Sequence, residues 1–92
     1  MGMAVVTLKI MPTSPEVNLS EIEIKAKAKI ADFAGMGETK TEIEPIAFGL
    51  KALKIIFVMD ESKGGTDALE EDIMTIENVQ SVNVTDVRRA LG

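Results

Sequence analysis

Leu50-Lys51-Ala52-Leu53-Lys54-Ile55-Ile56-Phe57-Val58-Met59 is the most strand-like stretch of the chain. Leu53, Ile55, Phe57 and Met59 share one side of a period-two pattern, and Lys54 marks the other. Ile56 and Val58 make that second side partly apolar too, which suits a strand with neighbours at both edges. This segment is therefore expected at the middle of a sheet, and the rest of the chain is expected to wrap around it.

Upstream, Phe48-Gly49 reads as a tight connection to a weaker, mostly polar strand over 38–46. Pro45 has no N–H to give a ladder, so that strand belongs at a sheet edge. Gly35 and Gly37 end a helix. Leu19, Ile22, Ala26, Ile30 and Phe33 recur at helical spacing along it, and Ile24 falls off the stripe. Asn18 stands at its N-cap with Glu21 three residues on, as in a capping box, and Glu21–Lys25 and Glu23–Lys27 form i,i+4 pairs. Before it, Pro12-Thr13-Ser14-Pro15 stops a first strand over 4–11, where Val6, Leu8 and Ile10 alternate with Thr7 and Lys9.

Downstream, 60–65 is a loop and Thr66 caps a second helix bearing Leu69, Ile73 and Ile76. Asn78 closes it. A last strand runs over 79–87, with Val82 and Val84 on one side and Asn83 and Thr85 on the other. Residues 88–92 form a short basic tail, and residues 1–3 an N-terminal end. The order is βαββαβ. It predicts an α+β, ferredoxin-like domain over 1–92, with a four-stranded antiparallel sheet and two helices on one face.

Composition narrows the function. The 92 residues carry 10 basic and 15 acidic side chains, a net charge of -5, and a hydrophobic fraction of 46%. That supports one folded core of the size a single domain needs. An acidic domain lacks the basic face that phosphate contacts require, so direct nucleic-acid binding is not expected. With 3 Phe, no Trp and no Tyr, it also lacks a stacking platform for bases. There is no cysteine and no histidine, which removes disulfides, thiolate metal sites and the commonest general base. No apolar run reaches the ~20 residues of a membrane span, and Met1-Gly2-Met3 does not open a secretory signal. Val6 also stands where a myristoylation signal wants Ser or Thr. A cytoplasmic location is expected.

Lys63-Gly64-Gly65-Thr66 leads into a helix start but lacks the spacing of a phosphate-binding Walker loop, and helix capping accounts for all of it. Asp67, Glu70, Glu71 and Asp72 spread around the same helix start. There the helix dipole favours them, and they do not converge as calcium ligands do. Two features are less easily absorbed. Phe48 stands at a hairpin tip within Glu44-Pro45-Ile46-Ala47-Phe48-Gly49-Leu50, unless it folds back to cap the core. Arg88-Arg89 place two cations near one end of an acidic chain.

At these places the sequence resembles the elongation factor 1-beta family. The segments that carry the resemblance are Pro45-Ile46-Ala47-Phe48-Gly49-Leu50-Lys51-Ala52-Leu53, Gly65-Thr66-Asp67-Ala68-Leu69-Glu70-Glu71 and 79–89. Ile10-Met11-Pro12, Pro15 and Asn18-Leu19 are similar to the archaeal branch. The resemblance implies a nucleotide exchange factor of translation without covalent chemistry or cofactor, whose partner is the GTPase elongation factor 1-alpha. In eukaryotic members a lysine near the C-terminus enters the magnesium region of that GTPase, and Arg89 aligns with it. Phe48 aligns with an aromatic that meets another domain of the same GTPase. The implied partner-binding set is Arg89, Arg88, Phe48, Pro45 and Gly49. The alternatives on this fold are a small-molecule-sensing module and an acyl phosphate hydrolase. The first commonly uses a glycine-rich turn after the first strand, where this chain has Pro12-Thr13-Ser14-Pro15.

Overall fold

The computed structural model describes residues 2–35 and 37–90. Its strands are β1 (Met3–Pro12), β2 (Thr39–Pro45), β3 (Lys51–Asp60) and β4 (Val79–Ala90), and its helices α1 (Leu19–Ala34) and α2 (Asp67–Met74). The sheet order is β2-β3-β1-β4, and every neighbouring pair is antiparallel. The ferredoxin-like expectation holds, with β3 inside the sheet and β2 at an edge.

Alternation explains how the core forms. In β1 and β3 the apolar residues of one phase pair directly: Ala4 with Met59, Val6 with Phe57, Leu8 with Ile55, Ile10 with Leu53. All are buried. Ile22, Ala26 and Ile30 of α1 and Leu69 and Ile73 of α2 close over them. Burying each large side chain contributes roughly 1.5–3 kcal/mol. Leu19 and Phe33 pack partly against the same cluster, while Ile24 stays 71% exposed, with no structural account of why it is apolar. Neither helix is long and apolar enough to cross a membrane.

Local caps differ from the sequence reading in detail. Asn18 caps α1 by accepting from the N–H of Ser20 at 2.9 Å, one position earlier than a capping box uses. Thr66 occupies the cap position of α2 without capping it; its hydroxyl instead donates to Glu70 at 2.9 Å. Ile76 lies beyond the end of α2 yet is still buried, and Asn78 turns the chain with a φ of 72°. The last strand runs further than expected. Arg88 and Arg89 are strand residues paired with Val5 and Ala4, not members of a free tail. Met1, Met36, Leu91 and Gly92, on which the terminal readings partly fell, lie outside the described residues.

β4 also contains an irregularity that composition does not announce. Thr7 pairs with Asp86 but Leu8 with Val84, so Thr85 is an extra residue and the register shifts there. Before the bulge Val82 and Val84 face the helices, opposite Ile10 and Leu8. After it Val87 and Arg89 do so, opposite Val6 and Ala4.

The β2–β3 hairpin turns through Ala47–Leu50, where the N–H of Leu50 donates to the carbonyl of Ala47 at 2.9 Å. Phe48 and Gly49 occupy the two central positions with φ of 54° and 79°. Positive φ at both positions is the signature of a type I′ turn, which Asn-Gly fills most easily. Phe48 therefore sits in a conformation that costs a Cβ-bearing residue about 1–2 kcal/mol. Phe48→Asn should relieve that strain and stabilise the fold by about 1 kcal/mol, a Tm rise of roughly 4–8 °C for a domain of this size. Calorimetry checks it, and an unchanged or lower Tm would show that the turn tolerates Phe48 without cost.

Charge pairing sets an acid limit. Lys9 and Lys54 face each other directly across β1 and β3, a repulsive arrangement that Glu44 bridges at 3.3 and 3.5 Å. Glu23 meets Lys27 at 2.7 Å, whereas Glu21 and Lys25 form no ion pair. The Lys27 hydrogen bond holds the Glu23 carboxyl below the usual 4.5, and the Lys9 hydrogen bond does the same for Glu44, helped by the charge of Lys54. The N–H of Ser62 lowers Asp60 below 3.8. Depressed native values mean that the unfolded chain takes up protons first as pH falls. This share of stability should be complete above the ordinary carboxylate range and be lost on acidification through the lower native values. Urea midpoints measured between pH 7 and pH 2 check the direction, which a midpoint rising toward acid would reverse.

Candidate functional site

The residues singled out by sequence fall at opposite ends of the sheet. The β2–β3 turn lies where β1 ends, since Ile10 pairs with Leu53 and Pro45 with Lys51. Arg89 lies where β1 begins, opposite Ala4. About eight residues of β3 separate Lys51 from Met59, which faces Ala4; at about 3.3 Å each, the two ends stand roughly 26 Å apart. The molecule's longest extent is 42 Å.

At the hairpin end Phe48 is 96% exposed, so it does not fold back over the core. Ile46 beside it is partly exposed, and Pro45 ends β2. Gly49 rests against Pro15, the ring carbon nearest its missing Cβ lying 3.6 Å from where that atom would be. The proline-rich β1–α1 connection thus passes close to the turn. The result is a small apolar tip led by an aromatic side chain that neither packing nor local conformation requires.

At the other end the two arginines part. Arg88 lies on the open side of the sheet and its Nε donates to Asp86 at 2.9 Å. Arg89, on the helix side, donates from Nε to Glu61 Oε2 at 2.8 Å. Arg89 borders a groove of about 410 Å³ lined also by Ala4, Met59, Val87, Gly64 and Gly65. The glycine loop read as a simple helix entry therefore stands beside Arg89. The groove is not an anion cradle, because the Glu61 carboxylate on its wall offsets the guanidinium.

Sequence reasoning missed Glu61. It lies 28 residues from Arg89 in a short 3₁₀ turn (Glu61–Lys63), and one carboxylate in a polar loop carries no signal of its own. It missed the Thr85 bulge as well, since no glycine marks it. The structure brings Arg89, Glu61 and the 64–66 loop together and keeps Phe48, Pro45 and Gly49 away from them.

Comparison with known proteins covers nearly all of the sheet. The EF-1 guanine nucleotide exchange domain matches residues 5–90. The elongation factor 1-beta of Methanothermobacter thermautotrophicus is 43% identical over 91 residues, covering 99% of this chain and 100% of the relative. That of Methanobrevibacter smithii is 46% identical with the same coverage. That of Thermococcus gammatolerans is 44% identical over 86 residues, 92% of each chain. A domain match running from β1 into the end of β4, joined to this near-full-length identity, makes the chain a member of the elongation factor 1-beta family, built on its guanine nucleotide exchange domain.

Proposed function

We propose that the chain promotes exchange of GDP for GTP on the cytoplasmic GTPase elongation factor 1-alpha, gripping it at two points and disturbing the magnesium and phosphate region of its nucleotide site. The observation that carries this reading is the separation of an exposed, strained aromatic at one end of a stiff sheet from an oriented cation at the other. One small-ligand pocket cannot use both across roughly 26 Å. A partner with several domains can meet each with a different one.

The division of labour follows from the side chains. Phe48 offers a large apolar area already exposed, which suits an anchor that fills a pocket on the partner. Guanine nucleotide is held largely through its phosphates and a divalent cation. A guanidinium brought to that cation's neighbourhood repels it and competes for its anionic ligands. Arg89 offers a planar fork where the eukaryotic lysine offers a point charge, so it suits bidentate contacts to carboxylate or phosphate. Opening the site then needs no bond to form or break in this chain. The factor shifts the nucleotide-bound equilibrium by the difference between its affinities for the closed and open forms of the GTPase. Arg88, tied to Asp86 on the open side, is left to contribute general electrostatic attraction, which salt screens.

Release of labelled GDP from elongation factor 1-alpha tests this directly. Substoichiometric amounts of the chain should accelerate it, and no acceleration at saturation would overturn the reading. Arg89→Ala should lower the saturating rate at least tenfold, about 1.4 kcal/mol of barrier. Arg88→Ala should cost far less. Equal losses would mean that both act only by steering. Phe48→Ala should raise the half-saturating concentration and leave the saturating rate nearly intact; an unchanged half-saturation removes Phe48 from the interface.

A further inference from the structure

We infer that Glu61 is the positioning residue for Arg89, and that the absence of a side chain at Gly2 is what lets Glu61 do this. The inference rests on the exchange reading and adds two residues to its machinery.

Glu61 is held at both ends of its backbone, within a capped turn. Its N–H donates to the carbonyl of Gly2 at 2.9 Å, and its own carbonyl accepts from the N–H of Gly64 at 3.1 Å. Asp60, just before it, caps the 3₁₀ turn by accepting from the N–H of Ser62 at 2.9 Å. The carboxylate fills the space that a side chain at Gly2 would enter. A Cβ built there would fall 2.9 Å from Glu61 Cδ and closer still to Oε1. Arg89 is the more exposed member of the pair: its side chain is 73% exposed, against 33% for Glu61.

Exposed pairs of this kind add little stability, so holding Arg89 in place must be judged by orientation. The contact uses the Nε edge of the guanidinium. A guanidinium bound through Nε still presents the N–H groups of its two terminal nitrogens. Glu61 therefore fixes the direction of the fork without occupying its tip. An arginine left unheld samples many rotamers, and the partner would have to freeze them on binding. Glu61 does that ordering in advance. Gly2 completes the device, because any larger residue pushes the far end of Glu61 aside, a movement that costs the fold little.

Two measurements test it, one without the partner and one with it. In the isolated chain, the Arg89 Nε–H proton should exchange with water more slowly in the wild type than in Glu61→Ala or Gly2→Ala, by nitrogen-15 NMR. Equal exchange in all three would show that the contact does not hold in solution and overturns the inference whatever the chain does to GDP. With elongation factor 1-alpha, Glu61→Ala and Gly2→Ala should each lower the saturating rate of GDP release about fivefold, the scale of one long side chain's lost ordering, with half-saturation unchanged. Their effects should not add, and Glu61→Ala should do nothing further once Arg89 is Ala. A rate at or above wild type for Glu61→Ala, or the same loss in the Arg89→Ala background, would show that Glu61 does not act through Arg89. A wild-type chain that leaves GDP release unchanged overturns the exchange reading, and the role given to Glu61 with it, while slow Nε–H exchange would still stand as a property of the fold.

Discussion

The direct pairing of β1 with β3 is the constraint on which the other elements depend. Val6 on Phe57, Leu8 on Ile55 and Ile10 on Leu53 put the apolar phases of both inner strands on one side of the sheet. A slip of one residue would turn each set to the opposite side and expose it. Both helices need that apolar floor, because their own stripes, Ile22-Ala26-Ile30 and Leu69-Ile73, have nothing else to cover. β4 then takes its register from β1 and β2 from β3. The positions of Arg89 and Phe48 thus follow from pairings that begin in the middle of the sheet.

This gives the molecule the character of a stiff spacer. Its middle consists of paired strands and a buried apolar core, and the side chains proposed to meet a partner stand at the ends. At the hairpin end, strain and exposure coincide on Phe48, a combination that selection for stability alone would remove. At the other end Arg89 is tethered by one exposed ion pair. Neither feature strengthens the fold, and both sit where a large partner can reach them. The open side of the sheet carries its own charge lattice of Lys9, Glu44 and Lys54, which compensates a repulsive cross-strand pair and keeps that side wet.

Much of this was readable in the sequence. Period-two runs located β1 and β3, the 3.6-residue stripe located α1, and Pro45 marked β2 as an edge. These signals are local and repeat several times within one element, so single exceptions such as Ile24 do not erase them. Other features have no repeating signal. Arg88 and Arg89 read as a tail because charged residues closing an edge strand look like a solvated end. Thr66 looked like a cap because its type and place fit, yet Glu70 offered its hydroxyl a better acceptor. The partnership of Glu61 with Arg89 joins elements far apart in the chain and becomes visible only when the sheet is assembled. Phe48 was half legible: its place at a tip was evident, but its outward direction depends on the assembled hairpin.

The extra residue at Thr85 shifts the reading frame of β4 between Val84 and Asp86. Counting by twos from Val82 and Val84 leads to Asp86 and Arg88, and so assigns the wrong arginine to the helix side. The bulge shifts the count by one, and Val87 and Arg89 take over that side opposite Val6 and Ala4. Arg89 therefore owes its direction to parity, not to its distance from the end of the chain. Losing Thr85 would merely make the strand regular, with Arg89 still on the groove side. Gaining one residue between Asp86 and Arg89, with the pairing of β1 kept regular, would exchange the two faces. In this strand, length variation is a change of phase, and equivalent cations in related chains are found by following the pairing with β1 rather than by counting back from the terminus.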